Sequence, residues 1–314
     1  MSAPTRGTVD LPALLAGDRR ALARALTAVE NETAAGLALL GQLDGHLGHA
    51  RVIGLTGPPG AGKSTLVGAC LGELLARGLS VAVVAVDPSS PYTGGAILGD
   101  RLRMDRHAAD PRIFIRSLAA RGHLGGLSRS TAWVVDLLDA ARYDVIVVET
   151  VGTGQSETEI VDLAQVRVVL CAPGLGDDVQ ALKSGVLEIA DLLVVNKADL
   201  PGAEQTLQQL RGMLAVFGRN RPVLGTSATR GEGIAELVDA CLAGPGDDGP
   251  ARDPERRLRH VIARLAGELA RRRLQADDDP AMAELCAAVR RGDLGLEAAA
   301  QRALAQVGTP GAAA

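Results

Sequence analysis

The stretch RVIGLTGPPGAGKSTLVGACLGELLARG, Arg51 to Gly78, joins a short apolar run, a glycine-rich turn and a helical run in immediate succession. Its centre matches G-x-x-x-x-G-K-[ST] between a strand and a helix, the setting in which that spacing has a physical meaning. The turn of Gly57, Pro58, Pro59, Gly60, Ala61 and Gly62 lets backbone N–H groups converge on phosphate oxygens. The helix that follows adds the positive end of its dipole. In this arrangement Lys63 reaches the β and γ phosphates, Ser64 ligates magnesium, and Thr65 completes the phosphate-facing turn.

Working outward from Arg51, short runs rich in Val, Ile and Leu alternate with stretches of helical period: VAVVAVD, IFIRS, YDVIVVET, VRVVLCA, LLVVN and PVLGTSA. Continuous apolarity marks strands covered on both faces. The expectation is an α/β fold of the P-loop NTPase type, a mostly parallel sheet flanked by helices, with helical extensions at both ends. In such sheets ligands bind at the carboxyl ends of the strands, where this chain places Gly, Asp, Glu and Asn. Residues 1–48 read as an N-terminal helical segment, with helical apolar spacing from Leu11 to Leu43, and 49–243 as the P-loop domain. AGPGDDGPARDP makes 244–254 a linker by composition. Residues 255–314 form a helical arm in which Leu258, Val261, Ile262, Leu265 and Leu269 share one stripe; without an aromatic anchor, that stripe suits a packing or partner helix better than a membrane surface.

Composition excludes several classes. The 314 residues carry a net charge of −4, which gives no basic footprint for nucleic acid. No signal pattern opens the chain and no apolar run reaches membrane-spanning length, so a cytosolic protein without membrane contact is expected. Cys70, Cys171, Cys241 and Cys286 form no C-x-x-C pair, which disfavours a disulfide framework or cysteine zinc site. His46 and His49 stand alone as a pair and read as surface residues. Only three of the 33 basic residues are lysine, Lys63, Lys183 and Lys197. A chain this rich in arginine keeps lysine mainly where a compact ammonium on a flexible stem is needed.

NKAD follows the strand LLVVN. Asp199 can accept from the N1–H and exocyclic amine of guanine, donors that adenine lacks, so ATP would leave a carboxylate edge unpaired. Asn196 bonds the N7 side and braces the loop, while the Lys197 stem covers the base plane. Downstream, TSATRGEG supplies Ser227, Ala228 and Thr229, with Ser227 and the Ala228 N–H supporting Asp199 and contacting the guanine oxygen. Three acids, Asp87, Asp100 and Glu149, can reach the Ser64 end of the phosphates, and magnesium takes few carboxylates while keeping several waters. YTGGAILGD and TVGTGQS contain cheap hinges; Gly152 N–H is a candidate γ-phosphate donor and Gln155 a candidate for positioning water.

Taken in order, GPPGAGKST, VDPSSPYTGGAILGDRLRM, ETVGTGQSE, APGLGDDVQALKSG and NKAD are similar to the G-protein chaperones of adenosylcobalamin-dependent methylmalonyl-CoA mutase. These are relatives of the hydrogenase and urease nickel-insertion GTPases, within the SIMIBI class. The resemblance spans about Leu11 to Ala243. It implies GTP hydrolysis and a homodimer joined partly through the C-terminal helices, with Lys63, Asp100, Glu149, Gly152 and Gln155, read from the residues, as the candidate catalytic groups and magnesium as the expected cofactor. It also implies gating of cofactor loading and rescue on an acyl-CoA mutase, with the cobalamin adenosyltransferase as a further candidate partner. Asp177, Asp178, Gln180 and Lys183 fall in the loop that signals to the partner in that family. Pro91 and Tyr92 stand where the family often has Thr-Arg, and Arg101 where it often has lysine. The alternatives are a nickel-type metallochaperone, a P-loop kinase acting on a small molecule or transport component, and a pure binding module.

Overall fold

The computed structural model of the chain describes residues 10–87, 109–119, 129–150, 160–174, 186–216, 220–244, 280–308 and scattered positions between 259 and 274. By contacts the chain divides into Met1–Arg252 and Asp253–Ala314.

In the first unit seven strands form one sheet: β1 (Arg51–Thr56), β2 (Val81–Asp87), β3 (Ile113–Ala119), β4 (Val145–Glu149), β5 (Val166–Cys171), β6 (Leu192–Val195) and β7 (Val223–Gly225). Their order is β3-β2-β4-β1-β5-β6-β7, and every pairing is parallel. These are the seven apolar runs of the sequence. β1 sits between β4 and β5, where the chain changes direction of winding, so the turn after it opens at the carboxyl end of the sheet's middle.

One face of the sheet presents Ile53, Leu55, Val81, Val83, Val145, Val147 and Val168 to Leu66, Val67, Leu71 and Leu74 of α4 (Lys63–Ala76). Leu237, Val238 and Cys241 belong to the same cluster, on the helix Ile234–Ala243, called α9 below. Each fully buried Val or Leu contributes about 1.5–3 kcal/mol, so this cluster anchors the phosphate-loop helix to the sheet. On the opposite face Gly54 allows a close approach: a Cβ there would lie 2.5 Å from Ile160 and 2.8 Å from Ala164. Across β5 to β7, Val169, Leu193 and Val195 pack on Leu207, Leu210 and Leu214 of α8 (Ala203–Val216).

The N-terminal layer is three helices, α1 (Leu11–Leu15), α2 (Arg19–Glu30) and α3 (Ala34–Leu40). Breaks at Gly17 and Glu32 have positive φ, and the next helices restart at Asp18, which accepts from Arg20 N and Ala21 N, and at Thr33, which accepts from Gly36 N. Such caps satisfy backbone donors that a helix leaves open. The α2 stripe Ala21, Leu22, Ala25, Leu26 and Val29 is buried, and α2 packs on α5 (Arg129–Ala140). Asp139 of α5, 3% exposed, accepts from Gly48 N at 2.6 Å, His49 N at 2.9 Å and Ala50 N at 2.7 Å. It thereby fixes the entry to β1. At edge strand β3, Arg116 pairs through two 2.6 Å hydrogen bonds with Glu30.

The second unit contains α10 (Pro280–Arg291) and α11 (Leu296–Gly308), packed on each other; the α6 and α7 segments, Ile160–Leu163 and Val186–Ile189, are single turns of the first unit. Of the expected stripe Leu258, Val261, Ile262, Leu265 and Leu269, only Ile262 is among the described residues, and it is exposed. No helix among the described residues is long and apolar enough to cross a membrane. Cys171 and Cys241 are buried, Cys70 is partly so and Cys286 is exposed, all as free thiols. Burial pushes Cys241 up to about 12 and Cys70 higher still, which leaves both as thiols without nucleophilic character.

Candidate functional site

The glycine-rich turn leaves β1 at Thr56 and enters α4 at Lys63. Two of its glycines are required by contact as well as by conformation. Gly57 has φ 147°, and a Cβ there would stand 2.2 Å from Leu170 O. Gly62 has φ 89°, and a Cβ there would stand 2.6 Å from Asn196 Nδ2. The turn is therefore pressed against both β5 and the NKAD loop.

Lys63 is 8% exposed, and its ammonium donates to Gly57 O at 2.9 Å and Pro58 O at 3.1 Å. These bonds hold the cation within the turn, beside the helix N-terminus. Ser64, in the first turn of α4, donates from Oγ to Glu149 Oε1 at 2.7 Å. Glu149 closes β4 in register with Leu55 of β1 and Ala85 of β2 and is 4% exposed. The next residue, Thr150, donates from N to Leu55 O at 3.0 Å and from Oγ1 to Thr56 Oγ1 at 2.9 Å, fixing the exit of β4 beside the start of the turn.

A hydroxyl and a carboxylate on neighbouring elements are the hard oxygen donors that magnesium takes. Ser64 and Glu149 would hold the ion, which when bound neutralises phosphate charge. Asp87 ends β2, two positions beyond Ala85, but its side chain lies outside the described residues. So do Asp100, Gly152 and Gln155, and Asp177, Asp178, Gln180 and Lys183 of the loop expected to signal to a partner. Among the described residues no three or more His, Cys, Asp or Glu are grouped to hold a metal. Of the histidine pair, His49 Nε2 lies 3.4 Å from Asp144 Oδ1.

At the carboxyl end of β6 the second half of the site is built as a brace. Asn196, 2% exposed, donates from Nδ2 to Ala61 O at 2.9 Å and accepts at Oδ1 from Ala228 N at 3.2 Å and Thr226 Oγ1 at 3.3 Å. Lys197, with φ 57°, donates from Nζ to Gly60 O at 2.8 Å. One carbonyl of the phosphate turn is thus tied to each of these neighbours. Asn196 thus links the NKAD loop to the phosphate turn and to the TSATRGEG loop, and the Ala228 N–H donates to Asn196 in this geometry.

Asp199 accepts at Oδ1 from Ser227 Oγ at 2.7 Å, and Arg230 Nε lies 3.7 Å from Oδ2. The Ser227 hydroxyl, and less so the Arg230 charge, hold the Asp199 carboxyl below the usual carboxylate range. Ser227 in turn exchanges backbone hydrogen bonds with Glu232, 2.9 Å and 3.2 Å, closing TSATRGEG into a tight loop; Thr229 Oγ1 lies 3.5 Å from Ser227 Oγ. An ionised acceptor oriented by a rigid loop can read two donors on one base edge. The motif reading gives no role to Thr56, Thr226 or Arg230. Their neighbours are set by the packing of loops that are distant in sequence, and no spacing signals them.

Residues 22–247 match the family described as Methylmalonyl Co-A mutase-associated GTPase MeaB. A protein of Pyrococcus horikoshii that bears a GTPase name is 50% identical over 228 residues, 70% of this chain and 72% of that one. The mouse mitochondrial methylmalonic aciduria type A homolog is 40% identical over 196 residues, 60% of this chain and 47% of that one. The crystal structure of an LAO/AO transport system kinase superposes with a TM-score of 0.71 at 27% identity, covering 98% of this chain and 100% of that one.

Proposed function

Since the chain belongs to the methylmalonyl Co-A mutase-associated GTPase family and is a GTPase, we propose that it acts as a nucleotide-driven chaperone of an adenosylcobalamin-dependent acyl-CoA mutase. In this role GTP binding and hydrolysis gate cofactor loading and protect or reactivate the mutase. The nucleotide occupies the turn Gly57–Gly62 with Lys63, Ser64 and Thr65 at its phosphates. Asn196, Lys197 and Asp199, with Ser227, Ala228 and Thr229, hold its base. Magnesium sits at Ser64 and Glu149, joined directly or through water by Asp87 and Asp100.

The observation that carries this reading is the Ser64–Glu149 hydrogen bond at 2.7 Å. It joins the phosphate-binding helix to the end of the strand that leads, through Thr150, into residues 151–159, so a change in metal or phosphate occupancy is felt just before that segment begins. Gly152 and Gln155 in that segment, and Asp177, Asp178, Gln180 and Lys183 beyond β5, carry the signal to the mutase. Reciprocity then requires the mutase to alter nucleotide affinity by the same factor. The C-terminal helices join two copies of the chain, and the cobalamin adenosyltransferase is a further partner. The protein works in the compartment that holds its mutase, the cytosol in a cell without organelles.

The test is affinity capture from a cobalamin-using cell extract with the chain loaded with GDP or a non-hydrolysable GTP analogue, followed by assay for acyl-CoA mutase and cobalamin. Mutase recovered in a nucleotide-dependent amount supports the proposal. Recovery that ignores the nucleotide and contains no mutase overturns it. The kinase name of the superposed structure favours one competing reading, phosphoryl transfer to a small molecule or transport component. ADP formation from ATP at a rate matching GDP formation from GTP would support that competitor.

A further inference from the structure

Ser117 of β3 pairs with Ala85 of β2, and Ala85 pairs with Glu149 of β4. Directly paired residues of a parallel sheet turn their side chains to one face. That face is the one α4 covers, because Val83, Val147 and Ile53, two positions earlier in β2, β4 and β1, pack into the cluster with Leu66 and Val67. Ser117, Ala85 and Glu149 therefore form a row across the carboxyl end of the sheet, on the side of Ser64.

Within that row the Ser117 hydroxyl is buried and has no hydrogen-bond partner among the described residues. Unpaired buried hydroxyls are uncommon, because each forfeits its hydration without a return. Adjacent strands lie about 4.8 Å apart, so the Cα atoms of Ser117 and Glu149 are separated by about 10 Å. Ala85 between them carries only a methyl group. That separation leaves room for ordered water between the two side chains.

We propose that Ser117 is a positioning residue for the water shell of the cation held at Ser64 and Glu149, its hydroxyl donating to a water ordered at that end of the site. Ser117 does not touch nucleotide or metal; it acts through the water and so raises the site's affinity for the cation. The inference rests on the magnesium and nucleotide reading above.

Its test is fluorescent GDP binding across a magnesium titration, with thermal unfolding in a chelator, for the full chain and for Ser117→Ala, Ser117→Cys and Ser117→Thr. Ser117→Ala is expected to raise the half-saturating magnesium concentration by about 3- to 10-fold, the worth of one net hydrogen bond. In chelator the same variant is expected to melt at or above the wild-type temperature, since it removes an unpaired hydroxyl. Ser117→Cys, which keeps the packing but is a weak donor, follows alanine; Ser117→Thr stays near wild type. An unchanged magnesium dependence in both Ser117→Ala and Ser117→Cys overturns the inference while leaving the nucleotide site intact. Binding by the wild-type chain that ignores magnesium overturns this inference and the magnesium reading together.

Discussion

Ser64 Oγ and Glu149 Oε1, 85 positions apart in sequence, meet at 2.7 Å. This contact joins the first turn of the phosphate-loop helix to the end of a central strand, and it explains why the acid is glutamate. Measured from the same backbone position, aspartate is one methylene shorter and would fall short of the Ser64 hydroxyl.

Glu149→Asp is accordingly expected to lower magnesium-dependent GTP hydrolysis by at least about 10-fold, a loss of about 1.4 kcal/mol in transition-state stabilisation, while GDP affinity changes less. Steady-state phosphate release and GDP titration on one preparation separate the two. Equal loss in both assays would assign Glu149 a structural role only.

Asp199→Asn replaces one acceptor with a donor on the edge proposed to read the base. GDP affinity is expected to fall by about 100-fold or more, with xanthosine diphosphate gaining, because its C2 carbonyl accepts where guanine's amine donates. Competition against a fluorescent guanine nucleotide reads both changes.

The pH dependence of base binding follows from Ser227. Its hydroxyl, by donating to the carboxylate, is the main reason the Asp199 carboxyl lies below its ordinary value of 3.8. A depressed carboxylate contributes in its ionised form above the unfolded value and loses that contribution as pH falls through the lower folded value. GDP affinity should therefore show no titration from Asp199 between about pH 5 and pH 8. In Ser227→Ala the acid-side loss should begin at higher pH, which calorimetric titration down the pH scale detects.

Two glycines of one turn should respond differently to alanine. At Gly57 a Cβ would meet the Leu170 carbonyl oxygen at 2.2 Å, whereas at Gly60, with φ 82°, nothing lies within 4 Å. Gly60→Ala should cost only the left-handed backbone penalty, about 1–2 kcal/mol. Gly57→Ala adds displacement of a strand backbone and should cost more, with loss of nucleotide binding. Urea unfolding of the two variants ranks them.

Asp139→Ala would strip the partner from three backbone N–H groups at the entry to β1. At about 1–3 kcal/mol for each buried donor left unpaired, partly relieved by water at the half-exposed positions, the expected loss is about 3 kcal/mol. Denaturant unfolding measures it, and nucleotide affinity at low denaturant should change little.

Much of this protein is legible along the chain. Seven continuous apolar runs declare strands covered on both faces, and they appear as seven parallel strands. The glycine–lysine–serine turn after β1 and the NKAD run after β6 are local patterns, because phosphate cradling and base reading each depend on consecutive residues. Fold class and nucleotide class follow from them, in agreement with the family match over residues 22–247.

What only the tertiary structure decides are the relations between segments that carry no common spacing. Strand order places Glu149 beside Leu55, and so beside Ser64. Loop packing aims Asn196 at Ala61 and Lys197 at Gly60, turning two motifs into one braced site. The row of Ser117, Ala85 and Glu149 exists only through the register of three strands. Hydrophobic patterning specifies which faces are buried, but it is blind to which strand lies next to which. That choice belongs to the chain as a whole, since it is settled by the fit of helices and loops over the completed sheet.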